Sequence, residues 1–156
     1  AGKYHRTIYG PSNEKGKNVF EILNSMFAKR EIKSREDIQI LVDQFYQSVQ
    51  ENELLGPIFN EVIQDRWPQH LEKMYSFWET ALLEKKSYSG RPFPPHAKLN
   101  LRQEHFDTWL RIWHQTLMEN FEGELAEEAK WRADKMAVMF ISKIDYYRQN
   151  NATPLL

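Results

Sequence analysis

The stretch Trp67-Pro-Gln-His70-Leu71-Glu-Lys-Met74-Tyr-Ser-Phe77-Trp78 decides the fold. Its apolar side chains recur at the spacing of an amphipathic helix, and Pro68 stands in the first turn, where a helix tolerates proline. The pattern predicts a helix over residues 65–83, with Asp65 as its N-cap. His70 falls on the apolar face of that helix, where a histidine is more often a satisfied core residue than a functional one.

Three further segments share this helical period. The first begins at Ser34 or Arg35 and stops before a connection at Gly56-Pro57, the second covers residues 102–120, and the third covers residues 124–147. Residues 87–95 contain one glycine and three prolines, so this loop is predicted to be irregular. Because no segment has the alternation of a strand, we expect an all-α domain with four long helices.

The chain ends differ from this body in composition. Residues 1–17 are polar and turn-rich, which predicts a disordered tail, and residues 151–156 form a C-terminal tail. Residues 18–33 are predicted to be a short helical extension that docks on the body or on a partner, leaving residues 34–150 as the main domain. Residues 1–35 hold eight Lys and Arg against three Glu, so they carry a charge of +5 in a chain whose net charge is −1.

Composition excludes several classes of protein. The absence of cysteine excludes thiolate metal sites, iron–sulfur clusters and cysteine nucleophiles, and leaves histidine as the nitrogen ligand for a transition metal. A net charge near zero gives no field that favours nucleic acid. No apolar run approaches the roughly 20 residues of a membrane span, so we expect a soluble, cytoplasmic protein. The sequence also lacks a phosphate-binding glycine loop and a helical zinc motif.

Aromatic residues are concentrated around His70 and a second histidine, His96, which follows the irregular loop. Burying so many rings in a domain of this size is easier around a flat apolar guest. The aromatic residues that bracket the two histidines are Trp67, Phe77, Trp78, Phe93, Phe106, Trp109 and Trp113.

The chain resembles the truncated haemoglobins of group III over residues 36–145. Seven elements in the same order carry the resemblance, and paired glycines typical of other truncated globins are absent. The matching residues are Phe45-Tyr46, Leu55-Gly-Pro-Ile-Phe59, Trp67-Pro-Gln-His70-Leu71 with Met74 and Phe77-Trp78, Leu82-Leu83, Tyr88-Ser-Gly90-Arg-Pro92 with His96, His105-Phe106-Asp-Thr-Trp109-Leu110, and Arg132-Ala133-Asp-Lys-Met136-Ala137.

The resemblance implies a truncated globin fold, a two-over-two helical sandwich around haem b. It implies that His96 is the proximal iron ligand, whose second ring nitrogen donates to a nearby backbone carbonyl. His70 would lie on the distal side, either gating ligand entry, bonding to the ligand or ligating the iron itself. Tyr46 and Trp109 would add two further hydrogen-bond donors there.

The remaining haem contacts are implied in the same way. Phe59 would wedge against one haem face, with Met74 and Phe77 lining the distal cavity. Leu99, Phe106, Met136 and Phe140 would pack against the porphyrin, and Lys73 would reach a propionate or stay solvated. The other histidines, His5, His105 and His114, have no spacing typical of a site and are expected at the surface or at helix edges.

The sequence thus favours a haem protein that binds dioxygen and other diatomic gases such as NO and CO. One alternative is a haem oxidoreductase, a nitric oxide dioxygenase or peroxidase-like enzyme, that needs an external reductase as its partner. A more remote alternative is a cofactor-free helical interaction module.

Overall fold

A computed structural model describes residue 16 and residues 18–150 of the chain. The two predicted tails, apart from residue 16, lie outside the described residues. The described part is α-helical, which confirms the predicted fold class, and one isolated parallel bridge joins Arg30 to Phe121. The helices are α1 (Val19–Phe27), α2 (Arg35–Glu51), α3 (Gly56–Ile63), α4 (Trp67–Leu83), α5 (Phe93–Ala97), α6 (Gln103–Asn120) and α7 (Glu124–Asn150).

Local sequence signals account for where the long helices begin. Ser34 caps α2 through a capping box with Asp37, whose carboxylate accepts the Ser34 backbone N–H at 3.2 Å. Helix α4 begins at Trp67, two residues after the predicted start, with Pro68 in its first turn. Asp65 is not its N-cap; Arg66 occupies that position and makes no side-chain capping bond.

Two short helices, α3 and α5, lie where the sequence predicted connections. Both begin with proline in the first turn, where the missing N–H costs nothing, and both are too short for a clear apolar period. Gly56 is required at the start of α3 because a Cβ there would collide with the Gln50 carbonyl oxygen. Helix α5 carries His96, so the irregular loop is shorter than predicted and His96 has a helical support.

The four long helices pack as two connected pairs. Helix α2 packs on α4 and on α6, and α6 packs on α7. Trp113 of α6 lies at their centre: it stacks on Trp78 of α4 at 4.4 Å and meets Phe45 of α2 edge-on at 5.0 Å. Its indole N–H also donates to the Ala129 carbonyl of α7 at 3.1 Å.

The core is divided into two clusters of buried side chains. The larger cluster surrounds Trp113 and joins α2, α4, α6 and the first half of α7. The smaller cluster joins α5 to α6 and to the second half of α7 through Phe93, Phe106 and Phe140. Leu110 and Met136 are half-buried and pack against both clusters. The division separates the helix that carries His70 from the helix that carries His96.

Helix α1 leaves most of its apolar side chains in solvent. Val19, Phe20, Leu23 and Met26 are 50, 71, 45 and 72 % exposed. Of the two predicted docking surfaces, the structure does not show α1 packed on the body, and docking on a partner stays a prediction. The chain joins the packed body just after α1. There the backbone of Arg30 makes hydrogen bonds with residues 120 and 122, and the side chain of Ile32 is buried.

The loop between α4 and α5 is fastened to the last turns of α4. The Ser87 and Tyr88 backbone N–H groups donate to Thr80 Oγ1 at 3.2 and 3.0 Å. The Ser87 hydroxyl donates to Glu79 Oε1 at 2.7 Å, and Arg35 of α2 donates to the same oxygen at 3.1 Å. Glu79 is only 7 % exposed, so its carboxylate is both buried and paired. We call Arg35, Glu79, Thr80 and Ser87 the loop anchor.

Truncation of the core around Trp113 should destabilise the fold. Leu117 is fully buried one turn after Trp113, whereas the adjacent Met118 is 56 % exposed. We expect Leu117→Ala to lower the free energy of unfolding by about 2–5 kcal/mol, because it leaves a cavity. Met118→Ala is the matched control and should stay within about 0.5 kcal/mol of the parent in urea denaturation. Equal effects of the two substitutions would contradict the assigned core.

Loss of the loop anchor should free the loop without unfolding α4. We expect Ser87→Ala to raise the hydrogen-exchange rates of the amides at positions 87 and 88 by about fivefold, since the loop loses its bond to Glu79. Hydrogen exchange read by mass spectrometry or NMR measures this. Ser89→Ala, in the same loop, is the control and should leave both rates unchanged; an equal increase there would refute the anchor.

Candidate haem site

The side chain of His70 lies in an aromatic enclosure between α2, α3 and α4. Its ring meets the Tyr46 ring edge-on at 5.1 Å and the Trp67 ring at 5.8 Å. Phe59 of α3 closes the same enclosure, 6.0 Å from the Tyr46 ring. Trp67 is held in place by its indole N–H, which donates to Asn60 Oδ1 at 3.2 Å. The structure thus places two predicted site residues, Phe59 and His70, each against a third, Tyr46.

His70 has a buried nitrogen that the protein does not satisfy. Its Nε2 atom finds no hydrogen-bond partner among the residues that the structure describes. Burial lowers the pKa of His70 to about 4, with smaller contributions from the charges of Lys73 and His96. The imidazole is therefore neutral at neutral pH, and a buried polar atom without a partner is costly unless a ligand contacts it.

His96 lies near the end of α5 with one ring nitrogen already engaged. Its Nδ1 atom lies 2.6 Å from the Pro92 carbonyl oxygen, one turn earlier. If Nδ1 carries the proton and donates it there, Nε2 keeps a lone pair. Burial lowers the pKa of His96, and the bond to Pro92 only partly opposes that effect. The ring packs against Phe140 of α7 at 4.9 Å.

These residues fit a haem. Each histidine presents an uncommitted ring nitrogen, and burial lowers the pKa of both. His70 lies against Tyr46 of the larger cluster, and His96 lies against Phe140 of the smaller one. The two are close enough for a charge on His96 to oppose protonation of His70. A flat, apolar, iron-containing group between the clusters would use the nitrogen of His96 as a ligand and would give the orphaned Nε2 of His70 a neighbour.

Tyr46 and Trp109 differ in how directly they meet this space. Tyr46 is buried in contact with His70, and burial raises the pKa of its phenol, so it keeps its proton at neutral pH. Trp109 is half-buried and reaches Tyr46 through Phe45, whose ring lies 5.6 Å from the Trp109 indole and 4.9 Å from the Tyr46 ring. Trp113 stacks parallel to Trp109 at 6.2 Å, but its own N–H is committed to Ala129.

The other predicted haem contacts divide between the two clusters. Phe59, Met74 and Phe77 are half-buried and pack against the larger cluster, while Phe106 and Phe140 belong to the smaller one and Leu99 packs against it. Met136 packs against both. Lys73 is exposed on α4, one turn from His70. Half-burial of large apolar side chains is the pattern expected of walls that face a ligand space rather than a closed core.

The structure adds contacts that the sequence did not indicate. Pro92 supplies the carbonyl beside His96, and Phe93, 7 % exposed, packs on Phe140 at 5.4 Å. His105 was expected at an edge but is buried, and its Nδ1 accepts the Arg102 backbone N–H at 2.9 Å at the start of α6. His114 is half-buried beside Asp134, and His5 lies outside the described residues. In the part of the chain that is described, no helix is long and apolar enough to cross a membrane.

Comparisons with known proteins agree with this geometry. Residues 30–141 match the family model of bacterial-like globins. The chain is 32 % identical over 123 residues to the group 3 truncated hemoglobin ctb of Campylobacter jejuni, a match that covers 76 % of this chain and 97 % of the relative. It is 30 % identical over 103 residues to the group 1 truncated hemoglobin GlbN of a Nostoc species, covering 65 % and 83 % of the two chains.

A solved structure shows the same fold. The crystal structure of the group III truncated hemoglobin from Campylobacter jejuni superposes with a TM-score of 0.70 at 31 % identity, over 75 % of this chain and 95 % of that one. Together with the split core and its two histidines, these matches show that the chain belongs to the truncated haemoglobins of group III, haem globins that bind gaseous ligands.

Proposed function

We propose that this globin binds dioxygen at haem b, with His96 as the proximal iron ligand and a distal pocket formed by Tyr46, His70 and Trp109. The observation that carries the proposal is a pair of neutral imidazoles beside different clusters of the core. His96 has its Nδ1 beside a backbone carbonyl, and His70 has a buried, unsatisfied Nε2. When bound, the haem supplies a ferrous iron that coordinates diatomic gases.

On the proximal side, α5 prepares His96 to act as a ligand. The Nδ1–H group of His96 donates a hydrogen bond to the Pro92 carbonyl, which selects the tautomer whose Nε2 lone pair is available. The same bond restricts rotation of the ring. Phe140 packs on one side of the imidazole. A neutral, oriented imidazole binds iron without first losing a proton, so haem affinity should depend on this one side chain.

On the distal side, two neutral donors can contact a gas ligand. Tyr46 keeps its O–H because burial raises the pKa of the phenol, and an indole N–H such as that of Trp109 cannot ionise at all. Hydrogen bonds donated to a ligand that carries partial negative charge contribute about 1–3 kcal/mol each in a dry pocket. Dioxygen is more polar in its bound form than CO, so these donors favour retention of dioxygen.

His70 has a different part in the same pocket. Its low pKa keeps the ring neutral, so it does not bring a positive charge into the apolar enclosure. Its buried Nε2 has no hydrogen-bond partner among the described residues and is free to bond to a ligand. In this assignment His70 bonds to the gas ligand or to Tyr46, and Lys73, one turn away, pairs with a haem propionate at the surface. The apolar wall on the side of His70 consists of Phe59, Met74 and Phe77. The wall on the side of His96 consists of Leu99, Phe106, Met136 and Phe140.

The proximal assignment predicts that His96 is needed to hold haem. The purified protein should show an intense Soret band at about 400 nm. His96→Gly should lose haem or regain the spectrum with added imidazole, because free imidazole can occupy the ligand position. His114→Gly, which removes a histidine beside Asp134 on the surface, is the control and should retain haem. A normal spectrum in His96→Gly without imidazole would move the proximal ligand elsewhere.

The distal assignment predicts faster release of dioxygen when a donor is removed. Tyr46→Phe and Trp109→Phe should each raise the dissociation rate by about tenfold or more, as measured by stopped-flow displacement. The controls keep the same chemistry outside the pocket: Tyr75→Phe removes a phenol that donates to Asp43, and Trp131→Phe changes a tryptophan that is 56 % exposed. Unchanged rates in both pocket variants would eliminate the two donors.

A further inference from the structure

We infer that α1 is a docking helix for an anionic lipid surface. Its helix is well formed at the start, where Asn18 and Glu21 make a capping box: the Asn18 side chain accepts the Glu21 backbone N–H at 2.8 Å. Nine residues are fewer than the roughly 12–15 that sustain an isolated helix in water. A helix this short and this apolar is expected to be completed by an apolar surface.

The apolar side chains of α1 form one broad face. At 100° per residue, Val19, Phe20, Ile22, Leu23 and Met26 cover an arc of about 160°, with Glu21 and Asn24 on the opposite side. Four of these five residues are 45–72 % exposed, so the globin body does not cover this face. A single-sided face of this width suits a flat apolar phase such as the headgroup–acyl boundary of a bilayer.

Charge indicates that the surface is anionic. Lys15 and Lys17 precede the helix in the sequence and Lys29 follows it, and residues 1–29 hold five Lys and Arg against two Glu. Cations that flank an amphipathic helix lie at the height of lipid phosphates when the helix lies in the interface. The sequence around α1 is thus positively charged, which favours an anionic surface.

The exposed apolar surface of the body is a poorer match for α1. That surface follows α7 through Trp131, Val138, Met139 and Tyr146, which are 43–65 % exposed. Lys135 lies among them, with its Nζ 5.2 Å from the centre of the Trp131 ring. A cationic segment would approach a cation there, whether on its own body or on a second copy.

The test is flotation of the full chain with vesicles of phosphatidylcholine alone or with about one third phosphatidylglycerol. We expect binding to the anionic vesicles, weakened by salt, and little binding to the neutral ones. The triple variant Phe20→Ser/Leu23→Ser/Met26→Ser should reduce the fraction bound to vesicles by about tenfold or more, because it removes the apolar face. The matched control, Val62→Ser/Met118→Ser/Val138→Ser, changes three exposed apolar residues on other helices and should bind normally.

A charge variant tests the second half of the inference. Lys15→Gln/Lys17→Gln/Lys29→Gln should weaken binding to anionic vesicles by about tenfold, and Lys85→Gln/Lys86→Gln/Lys135→Gln should not. A chain that stays in solution with both kinds of vesicle, or an apolar-face variant that floats like the parent, would overturn the inference. So would a dimer, seen by light scattering, that the apolar-face variant abolishes without any vesicle binding by the parent. Haem content is not involved in any of these outcomes.

Discussion

The packing of Trp113 is the interaction on which the rest of the structure depends. One side chain touches three neighbouring helices: it stacks on Trp78, meets Phe45 edge-on, and bonds to the Ala129 carbonyl. Because a hydrogen bond in a buried site has a strict geometry, the ring cannot slide between Trp78 and Phe45 without losing its partner. The positions of α2, α4 and α7 relative to α6 are thereby coupled at a single point.

The proposed distal pocket would take its rigidity from that point. Trp109 precedes Trp113 by one helical turn and lies parallel to it, and Tyr46 follows Phe45 in α2. Both proposed donors are therefore attached to side chains that the core already holds. A pocket built this way needs little reorganisation when a ligand arrives, so its hydrogen bonds are not diminished by the cost of ordering flexible side chains.

The sequence predicted the long helices and their buried faces because both follow from periodicity. It also placed Ser34 or Arg35 near the start of α2, and the structure has Ser34 as the N-cap, in a capping box with Asp37. It missed α3 and α5, which are only eight and five residues long and have proline in their first turn. Helix α1 was predicted from its period, but periodicity does not reveal what covers an apolar face, so the sequence left the body and a partner both open as its docking surface.

The candidate site shows the same limit. His70, His96, Tyr46 and Trp109 could be named from a resemblance, and the structure places Tyr46 and His70 in contact. A bond from His96 to a nearby backbone carbonyl was expected, but the sequence did not identify Pro92 as the partner, because this contact depends on the unpredicted α5. The loop anchor carried no local signal: Arg35 and Glu79 are distant in sequence, and a glutamate beside Trp78 is indistinguishable from a solvated one until α2 packs over it.

The loop anchor also joins the two sides of the site. His70 and Glu79 belong to one helix, α4, and Glu79 and Thr80 hold the loop that leads to Pro92 and His96. A carboxylate that is buried and bonded in this way stays ionised, since the Ser87 hydroxyl and then Arg35 lower the pKa of Glu79. As the pH rises or falls near neutrality the anchor therefore persists, and it would be lost only as the pH falls through that lowered pKa. Helix α4 therefore carries His70 directly and is linked through this loop to α5, which carries His96, so a displacement of α4 would act on both imidazoles.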